Sequence, residues 1–115
     1  MVRMWTMDIY KEAIAHYGEK NQIVVAIEEL SELQKELCKY LRGEGNQAHI
    51  AEEMADVGIM LDQLDLIFNN RNEVLEIRSI KLGRLVNRMR VIKCPTCGIT
   101  MDEKPDVCPV CGRKM

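Results

Sequence analysis

Aromatic residues are scarce in this sequence, and long apolar runs are missing from it. Phe, Trp and Tyr make up 4% of the 115 residues, whereas eight Met are available to fill a core. This balance favours packed helices over a β-rich fold, which depends on aromatic and β-branched side chains. No apolar run approaches the roughly 20 residues that span a bilayer, and the first residues lack the apolar segment of a signal peptide. We therefore expect no membrane contact, a cytoplasmic location, and thiols that are reduced or metal-bound.

Strand-like alternation of apolar and polar residues is also missing before residue 91, and helical periodicity takes its place. Gly18, residues 43–46 and residues 69–70 supply the Gly and Asn that commonly end helices. The pattern predicts four helices, at about residues 7–17, 21–42, 47–69 and 72–90. Their short connections predict antiparallel neighbours. The predicted fold class is therefore all-α, with an antiparallel four-helix bundle.

Four of the five cysteines lie at the C-terminus, in the spacing C-x2-C-x10-C-x2-C. Each half reads Cys-Pro-x-Cys-Gly, which can form a tight turn whose backbone amides point at the thiolates. Four thiolates suit a tetrahedral Zn²⁺ and leave no open position for catalysis, so the metal is predicted to be structural. A segment this short cannot bury a core, and the metal would supply its folding energy. The predicted zinc ligands are Cys94, Cys97, Cys108 and Cys111.

This spacing resembles a minimal zinc ribbon and divides the chain into two predicted domains. Residues 1–91 form the helical domain, and residues 92–115 form the ribbon. A rubredoxin-like iron site is the alternative for the same soft ligands. Cys38, the fifth cysteine, is predicted to be a helix-packing residue.

Charge is unevenly distributed along the chain. The formal net charge is −2, yet residues 71–93 carry seven Lys or Arg against two Glu, and residues 1–70 carry 13 Asp or Glu against six Lys or Arg. A basic helix beside an acidic body favours a metal-bound anionic ligand over a long nucleic acid. Three basic residues at helical spacing are predicted to hold phosphate oxygens: Lys81, Arg84 and Arg88. The alternative is a solvated basic face that pairs with acids of other helices.

Acidic residues form one cluster in the second predicted helix and another in the third. Carboxylates three residues apart lie on one helix face, although a single such cluster is most often a solvated surface. On antiparallel helices the two clusters would lie on flanks of the apolar stripes, on the same side of the seam. Four carboxylates there could converge on Mg²⁺ or Mn²⁺, which suits phosphate-ester chemistry. The proposed ligands are Glu29, Glu32, Glu53 and Asp56, with Glu28 and Glu52 as supporting acids.

The order and spacing of these acids resemble a known family signature. Glu28-Glu29-x-x-Glu32, followed after about twenty residues by Glu53-x-x-Asp56-Val57, is similar to the paired motif of MazG-like all-α nucleoside triphosphate pyrophosphohydrolases. The similarity extends over about residues 8–90 and implies a helical core that forms homodimers or higher homo-oligomers. It implies Mg²⁺ bound by the four matching carboxylates, and hydrolysis of a nucleoside triphosphate to the monophosphate and pyrophosphate. Lys81 and Arg84 would match basic residues of the family's last core helix. The zinc ribbon is not part of that core.

The sequence thus predicts a Mg²⁺-dependent nucleotide pyrophosphohydrolase, in which Glu28 or Glu52 orients the attacking water or a ligand. A phosphoribosyl-nucleotide or a diphosphate is an alternative substrate for the same fold. The alternative of a different class is a non-enzymatic helical dimerisation module whose ribbon binds protein or nucleic acid. The ribbon is nearly neutral and does not interleave basic with aromatic residues, which disfavours nucleic acid.

Overall fold

The computed structural model describes residues 2–115, with side chains described from Thr6 onward. Met1, the first residue of the predicted helical domain, lies outside the described residues. Over this range the protein is mainly helical, and no helix within it combines the length and apolar character needed to cross a bilayer. The elements are α1 (Val2–Tyr17), α2 (Glu19–Leu41), α3 (Gln47–Phe68), α4 (Arg71–Arg90), β1 (Ile92–Lys93) and β2 (Thr100–Met101).

Four helices are confirmed, and their ends fall where Gly and Asn were expected to break them. Gly18 has φ 93° and ψ 147°, a conformation that costs other residues roughly 1–3 kcal/mol. Its N–H donates to the carbonyl of Ile14 at 2.8 Å, and its carbonyl accepts from Gln22 at 3.1 Å. Gly18 therefore ends α1 and begins α2. The predicted start of α1 at about residue 7 was wrong, since the helix begins at Val2.

A tight connection places α3 directly beside α2. Gly43 has φ 81°, and a Cβ on Gly45 would overlap the backbone of Tyr40, so this turn requires the small residue at both positions. Asn46 then caps α3 by accepting the Ala48 N–H at 2.9 Å. At the far end of α3, Asn69 adopts the left-handed conformation at φ 50°. These local signals set the antiparallel return of the chain and hence the pairing of α2 with α3.

The α2–α3 contact contains buried polar side chains as well as apolar ones. Gln22 on α2 donates its amide to the Gln63 carbonyl oxygen on α3 at 2.7 Å, and Gln63 is only 4% exposed. Ala26 of α2 and Val57 and Met60 of α3 are also buried. The hydrogen bond between these buried amides can form in just one alignment of the two helices. It therefore disfavours slippage of one helix along the other. This bond therefore helps to fix which residues of α2 and α3 face each other.

The chain divides into two compact units, residues 1–71 and residues 72–115. Tyr10 of α1 donates to the Asp62 carboxylate of α3 at 3.2 Å within the first unit. The second unit contains α4 and the cysteine-rich segment. Within this segment β1 and β2 pair antiparallel, with Ile92 opposite Met101. The domain boundary at residue 91 and the four-helix bundle stay predictions.

Candidate metal centres

Three acidic side chains from two helices converge in the first unit. Glu29 of α2 and Glu53 and Asp56 of α3 each offer a carboxylate oxygen, and these oxygens all lie within 4.8 Å of one another. All three belong to the four carboxylates that the sequence analysis proposed as ligands. An oxygen-only donor set with this spacing suits a hard divalent cation such as Mg²⁺ or Mn²⁺.

The cluster occupies the contact between the helices. On α2, Glu29 follows the buried Gln22 and Ala26 at the i, i+4, i+7 spacing of one helix face. On α3, Glu53 precedes Val57 and Met60 at the same spacing. The helical periodicity predicted both carboxylates on flanks of the apolar stripes. The structure instead turns Glu29 and Glu53 toward the neighbouring helix and leaves both only partly exposed.

This crowding raises the proton affinity of two members of the cluster. Desolvation, followed by the charges of Asp56 and Glu53, raises the pKa of Glu29 above its ordinary value of 4.5. Desolvation, followed by the charges of Asp56 and Glu32, likewise raises the pKa of Glu53. Both shifts have the direction expected of carboxylates that repel one another in a partly buried site. A bound cation would relieve this repulsion.

One carboxylate oxygen of Glu53 is an acceptor without a partner among the described residues. Glu53 Oε2 is buried and accepts no hydrogen bond within the described part of the chain. Leaving a buried carboxylate oxygen unpaired costs the desolvation free energy of that atom. The donor chemistry, the mutual distances and this orphan oxygen all fit a divalent cation held by Glu29, Glu53 and Asp56.

The other three predicted acids are exposed, and their charges act on members of the cluster. Glu32 lies outside the set of oxygens within 4.8 Å, but it is close enough for its charge to raise the pKa values of both Glu29 and Glu53. The charge of Glu28 also raises the pKa of Glu29, and the charge of Glu52 also raises the pKa of Glu53. All three are exposed, as expected of groups that would meet water or a ligand.

Glu36 is an acid of this region that the sequence analysis did not consider. It is 7% exposed, pairs with Lys39 at 3.5 Å, and contributes to the raised pKa of Glu53. Its position, four residues after Glu32 and seven after Glu29, was a usable signal, because that spacing keeps all three near one helix face.

The basic residues predicted to hold phosphate share one surface groove. Lys81, Arg84 and Arg88 of α4 are exposed and line a groove of about 550 Å³ together with Asn87, which the sequence analysis did not select. Arg guanidinium and Lys ammonium groups are suited to phosphate oxygens, and Asn adds an amide donor. This groove is thus an anion-binding candidate within the second unit.

The four C-terminal cysteines form the second candidate centre. The sulfurs of Cys94, Cys97, Cys108 and Cys111 all lie within 4.8 Å of one another. Two pairs lie at 3.6 Å, namely Cys94 with Cys111 and Cys97 with Cys108. Zn–S bonds of about 2.3 Å place tetrahedral sulfurs about 3.8 Å apart, so these separations fit a four-thiolate metal.

Two matching turns build this centre, as the repeated Cys-Pro-x-Cys-Gly sequence predicts. Gly98 donates to the carbonyl of Cys94 at 2.9 Å, and Gly112 donates to that of Cys108 at 3.0 Å. Both glycines have positive φ, 76° and 74°. The two turns also touch through Arg113, whose guanidinium donates to the Thr96 hydroxyl at 2.7 Å. The glycines let each chain segment fold back around its first sulfur.

Backbone amides point at the sulfurs, as the sequence analysis expected. Hydrogen bonds from the Cys97 and Thr96 amides lower the pKa of Cys94 to about 6, although desolvation opposes them. The amides of Cys111 and Val110 lower the pKa of Cys108 in the same way. The Arg113 amide lowers the pKa of Cys111, but desolvation and the neighbouring thiols outweigh it and raise the value to about 11. Without a metal the four groups cannot all be thiolates at neutral pH, so metal binding must displace protons.

Comparison of the chain with protein-family models, with curated proteins and with solved structures gave no match. The two clusters therefore have to be interpreted from their own chemistry. The carboxylate cluster offers oxygen ligands and is partly exposed to solvent, which suits a metal that also contacts a substrate. The other offers four sulfurs, which suits a metal that holds the chain together.

Proposed function

We propose that this chain is a Mg²⁺-dependent nucleoside triphosphate pyrophosphohydrolase, with a MazG-like four-helix core and a C-terminal zinc ribbon. The observation that carries the proposal is the convergence of carboxylate oxygens of Glu29, Glu53 and Asp56 within 4.8 Å, together with a buried Glu53 oxygen that accepts no hydrogen bond from the described residues. The paired acidic motif whose spacing resembles that of the MazG-like family supplies the substrate class. A cytoplasmic location belongs to the same proposal, because free thiolates persist in a reducing compartment.

The carboxylates have two proposed roles. Glu29, Glu53 and Asp56 would hold the cation, and Glu32 would complete the set from the exposed side. Bound Mg²⁺ supplies polarisation of phosphoryl oxygens, a lower pKa for the attacking water and neutralisation of the leaving group. Glu28 or Glu52, exposed beside the ligands, would accept a hydrogen bond from the water and orient it toward a phosphorus of the α–β anhydride. Cleavage there yields a nucleoside monophosphate and pyrophosphate.

The basic groove of α4 supplies the proposed phosphate contacts. Lys81, Arg84 and Arg88 of the second unit are the proposed residues for binding phosphate oxygens, and Arg can do so with two parallel hydrogen bonds. The cysteine centre has a separate role in this proposal. It would hold a structural Zn²⁺, with a rubredoxin-like iron as the alternative, and it would take no part in hydrolysis.

A nucleotide panel tests this function. We expect pyrophosphate and monophosphate from at least one canonical or modified nucleoside triphosphate in the presence of Mg²⁺, and no product after EDTA treatment. The Asp56→Asn variant should lose at least a hundredfold in activity, because it removes one ligand charge from the site. Glu12→Gln, which changes an exposed acid of α1 outside the cluster, serves as the matched control and should retain activity.

Full activity of Asp56→Asn, or activity that is insensitive to EDTA, would reject the metal site. Release of pyrophosphate would identify cleavage at the α–β anhydride, whereas orthophosphate release would point to a different bond. Including phosphoribosyl-nucleotides and nucleoside diphosphates in the panel covers the alternative substrates. The parent and both variants should show equal helix content by circular dichroism.

Self-association is a further part of the proposal, supported by uncovered apolar faces in the first unit. Apolar side chains at helical spacing are exposed on α2 and on α3, and a contiguous patch of this kind commonly marks an interface. They are Ile27, Leu30, Leu37 and Leu41 on α2, and Met54, Leu61 and Phe68 on α3. We therefore propose that the chain forms a homodimer or a higher homo-oligomer through these faces.

Light scattering should show an oligomer for the parent chain and a monomer for the double variant Leu30→Glu, Leu37→Glu. Two charges in a buried apolar contact are expected to cost several kcal/mol, enough to dissociate a typical homodimer at micromolar concentration. Val110→Glu, which alters an exposed apolar residue of the cysteine segment, is the control and should leave the oligomer intact. A monomeric parent chain would reject the proposed interface.

A second candidate function is supported by the grouping of α4 with the cysteine segment in one compact unit. In that alternative the helical part dimerises, and the unit of residues 72–115 binds protein or nucleic acid. Its basic groove would then contact backbone phosphates, and binding would weaken steeply with salt. Salt-dependent binding of an oligonucleotide by a chain that hydrolyses no nucleotide in the panel would favour this candidate.

A further inference from the structure

The cysteine centre combines two buried and two exposed residues in a regular arrangement. Cys94 and Cys108, the first cysteine of each turn, are 2% and 1% exposed. Cys97 and Cys111, the second of each turn, are exposed. Each exposed sulfur lies 3.6 Å from the buried sulfur of the other turn, so the pairs are Cys97 with Cys108 and Cys111 with Cys94. Each pair therefore joins a cysteine on the exposed side of the centre to a buried one.

We propose that this centre is a thiol modification site, at which hydroperoxides oxidise the two cross-turn pairs to disulfides and thereby release zinc. The inference rests on the zinc centre of the proposed function. It assigns to Cys97 and Cys111 the role of reacting residues, because they are exposed. Cys108 and Cys94 are the resolving residues, because each is buried and its sulfur lies 3.6 Å from that of its exposed partner.

The chemistry balances with hydrogen peroxide as the oxidant. The exposed thiolate attacks one peroxide oxygen, an S–O bond forms, the O–O bond breaks and hydroxide leaves. The buried thiolate of the pair then attacks the sulfenic sulfur, an S–S bond forms, the S–O bond breaks and a second hydroxide leaves. The thiolate pair loses two electrons, the peroxide gains them, and two protons from solvent convert the hydroxides to water.

The geometry favours disulfides between the turns. A disulfide S–S bond is about 2.0 Å long, so a pair that begins at 3.6 Å needs only a small approach. The Arg113–Thr96 hydrogen bond also holds the two turns against each other. Each disulfide removes two of the four thiolate donors, and the remaining pair holds zinc far less tightly. Two cross-links then take the place of the metal between the turns.

Peroxide treatment of the zinc-loaded full chain tests the proposal. Cys38→Ser is the appropriate background, because Cys38 is an exposed thiol on α2 that could form other disulfides. We expect two equivalents of peroxide to release one zinc per chain, measured with a chromogenic chelator. Peptide mass spectrometry should find the Cys97–Cys108 and Cys94–Cys111 disulfides, and dithiothreitol with zinc should restore the loaded centre.

The outcomes separate this inference from the zinc centre on which it rests. A chain that binds no zinc would reject the zinc centre itself. A zinc-loaded chain that keeps its metal and forms no disulfide under excess peroxide would reject the proposed oxidation and leave the zinc centre standing. Disulfides within a turn, Cys94–Cys97 or Cys108–Cys111, would overturn the assigned pairing.

The order of alkylation provides a second test, without any oxidant. N-ethylmaleimide should modify Cys97 and Cys111 of the zinc-loaded chain before Cys94 and Cys108, since only the former are exposed. In the denatured, chelated chain all four should react at similar rates, which is the control. Earlier reaction of Cys94 or Cys108 in the loaded chain would contradict the assignment of reacting residues.

Discussion

The Glu53→Gln variant is expected to be more stable than the parent chain without metal, and to lose its stabilisation by Mg²⁺. Glu53 Oε2 is buried and has no hydrogen-bond partner in the part of the chain that the structure describes, and the ionised side chain is repelled by Asp56 and Glu32. An amide of the same shape removes that repulsion but contributes no charge to the cation. The same substitution should therefore have opposite effects in the two conditions, which a simple loss of folding would not produce.

The pH dependence of this difference follows from the raised pKa of Glu53. A carboxyl whose pKa is higher in the folded than in the unfolded chain stabilises the fold below the unfolded value, and that contribution is lost as pH rises through the folded value. The metal-free parent should thus become less stable than Glu53→Gln as pH rises above 4.5, the ordinary pKa of Glu. Mg²⁺ requires the ionised form, so its stabilising effect on the parent should grow over the same range of pH.

Thermal unfolding with and without Mg²⁺ measures both effects. At a Mg²⁺ concentration a hundred times Kd, linkage predicts about 2.7 kcal/mol of stabilisation. For a domain of 60–100 residues that corresponds to a rise in Tm of roughly 10–20 °C. Glu12→Gln, on the exposed surface of α1, should show the same changes in Tm as the parent in every condition. An equal response of the parent and Glu53→Gln to Mg²⁺ would show that the cation binds elsewhere.

Helix positions could be predicted from the sequence because their ends depend on local chemistry. Gly18 adopts a backbone conformation that other residues avoid, and Asn46 and Asn69 cap or end α3 through bonds to residues close in sequence. Such signals need no knowledge of the rest of the fold. The two cysteine turns were predictable for the same reason, since Gly98 and Gly112 allow each turn to close on itself.

The packing face of α2 could not be predicted in the same way, because apolar residues lie on more than one side of it. Ile27 and Leu30 are apolar residues of α2 yet are 59% and 47% exposed, while Gln22 and Glu36 are buried. Periodicity identifies an apolar side but cannot tell a core face from a face that a second chain would cover. The placement of Glu29 in the helix contact, and the burial of Glu36, followed from tertiary pairing with α3.

Loss of the metal at the cysteine centre is expected to unfold residues 92–115 while α2 and α3 stay helical. The ordered secondary structure of this segment consists of the two-residue strands β1 and β2 and one isolated bridge between Val107 and Lys114. Its buried apolar residues within the described chain are Cys94 and Cys108, both of them proposed ligands. The metal must therefore provide most of the folding free energy, about 10–16 kcal/mol in comparable zinc peptides.

The Cys108→Ser variant should show this loss most clearly, because Cys108 is buried and accepts two backbone hydrogen bonds that position the second turn. Amide hydrogen exchange should reveal full exposure of residues 92–115 in the variant and slow exchange in the zinc-loaded parent. Cys38→Ser, which removes a thiol outside the centre, should exchange like the parent. Elemental analysis of the parent distinguishes zinc from the iron alternative. Slow exchange in the chelated parent would mean that the two turns fold without metal, since the Arg113–Thr96 bond and the glycine turns would then suffice to hold them.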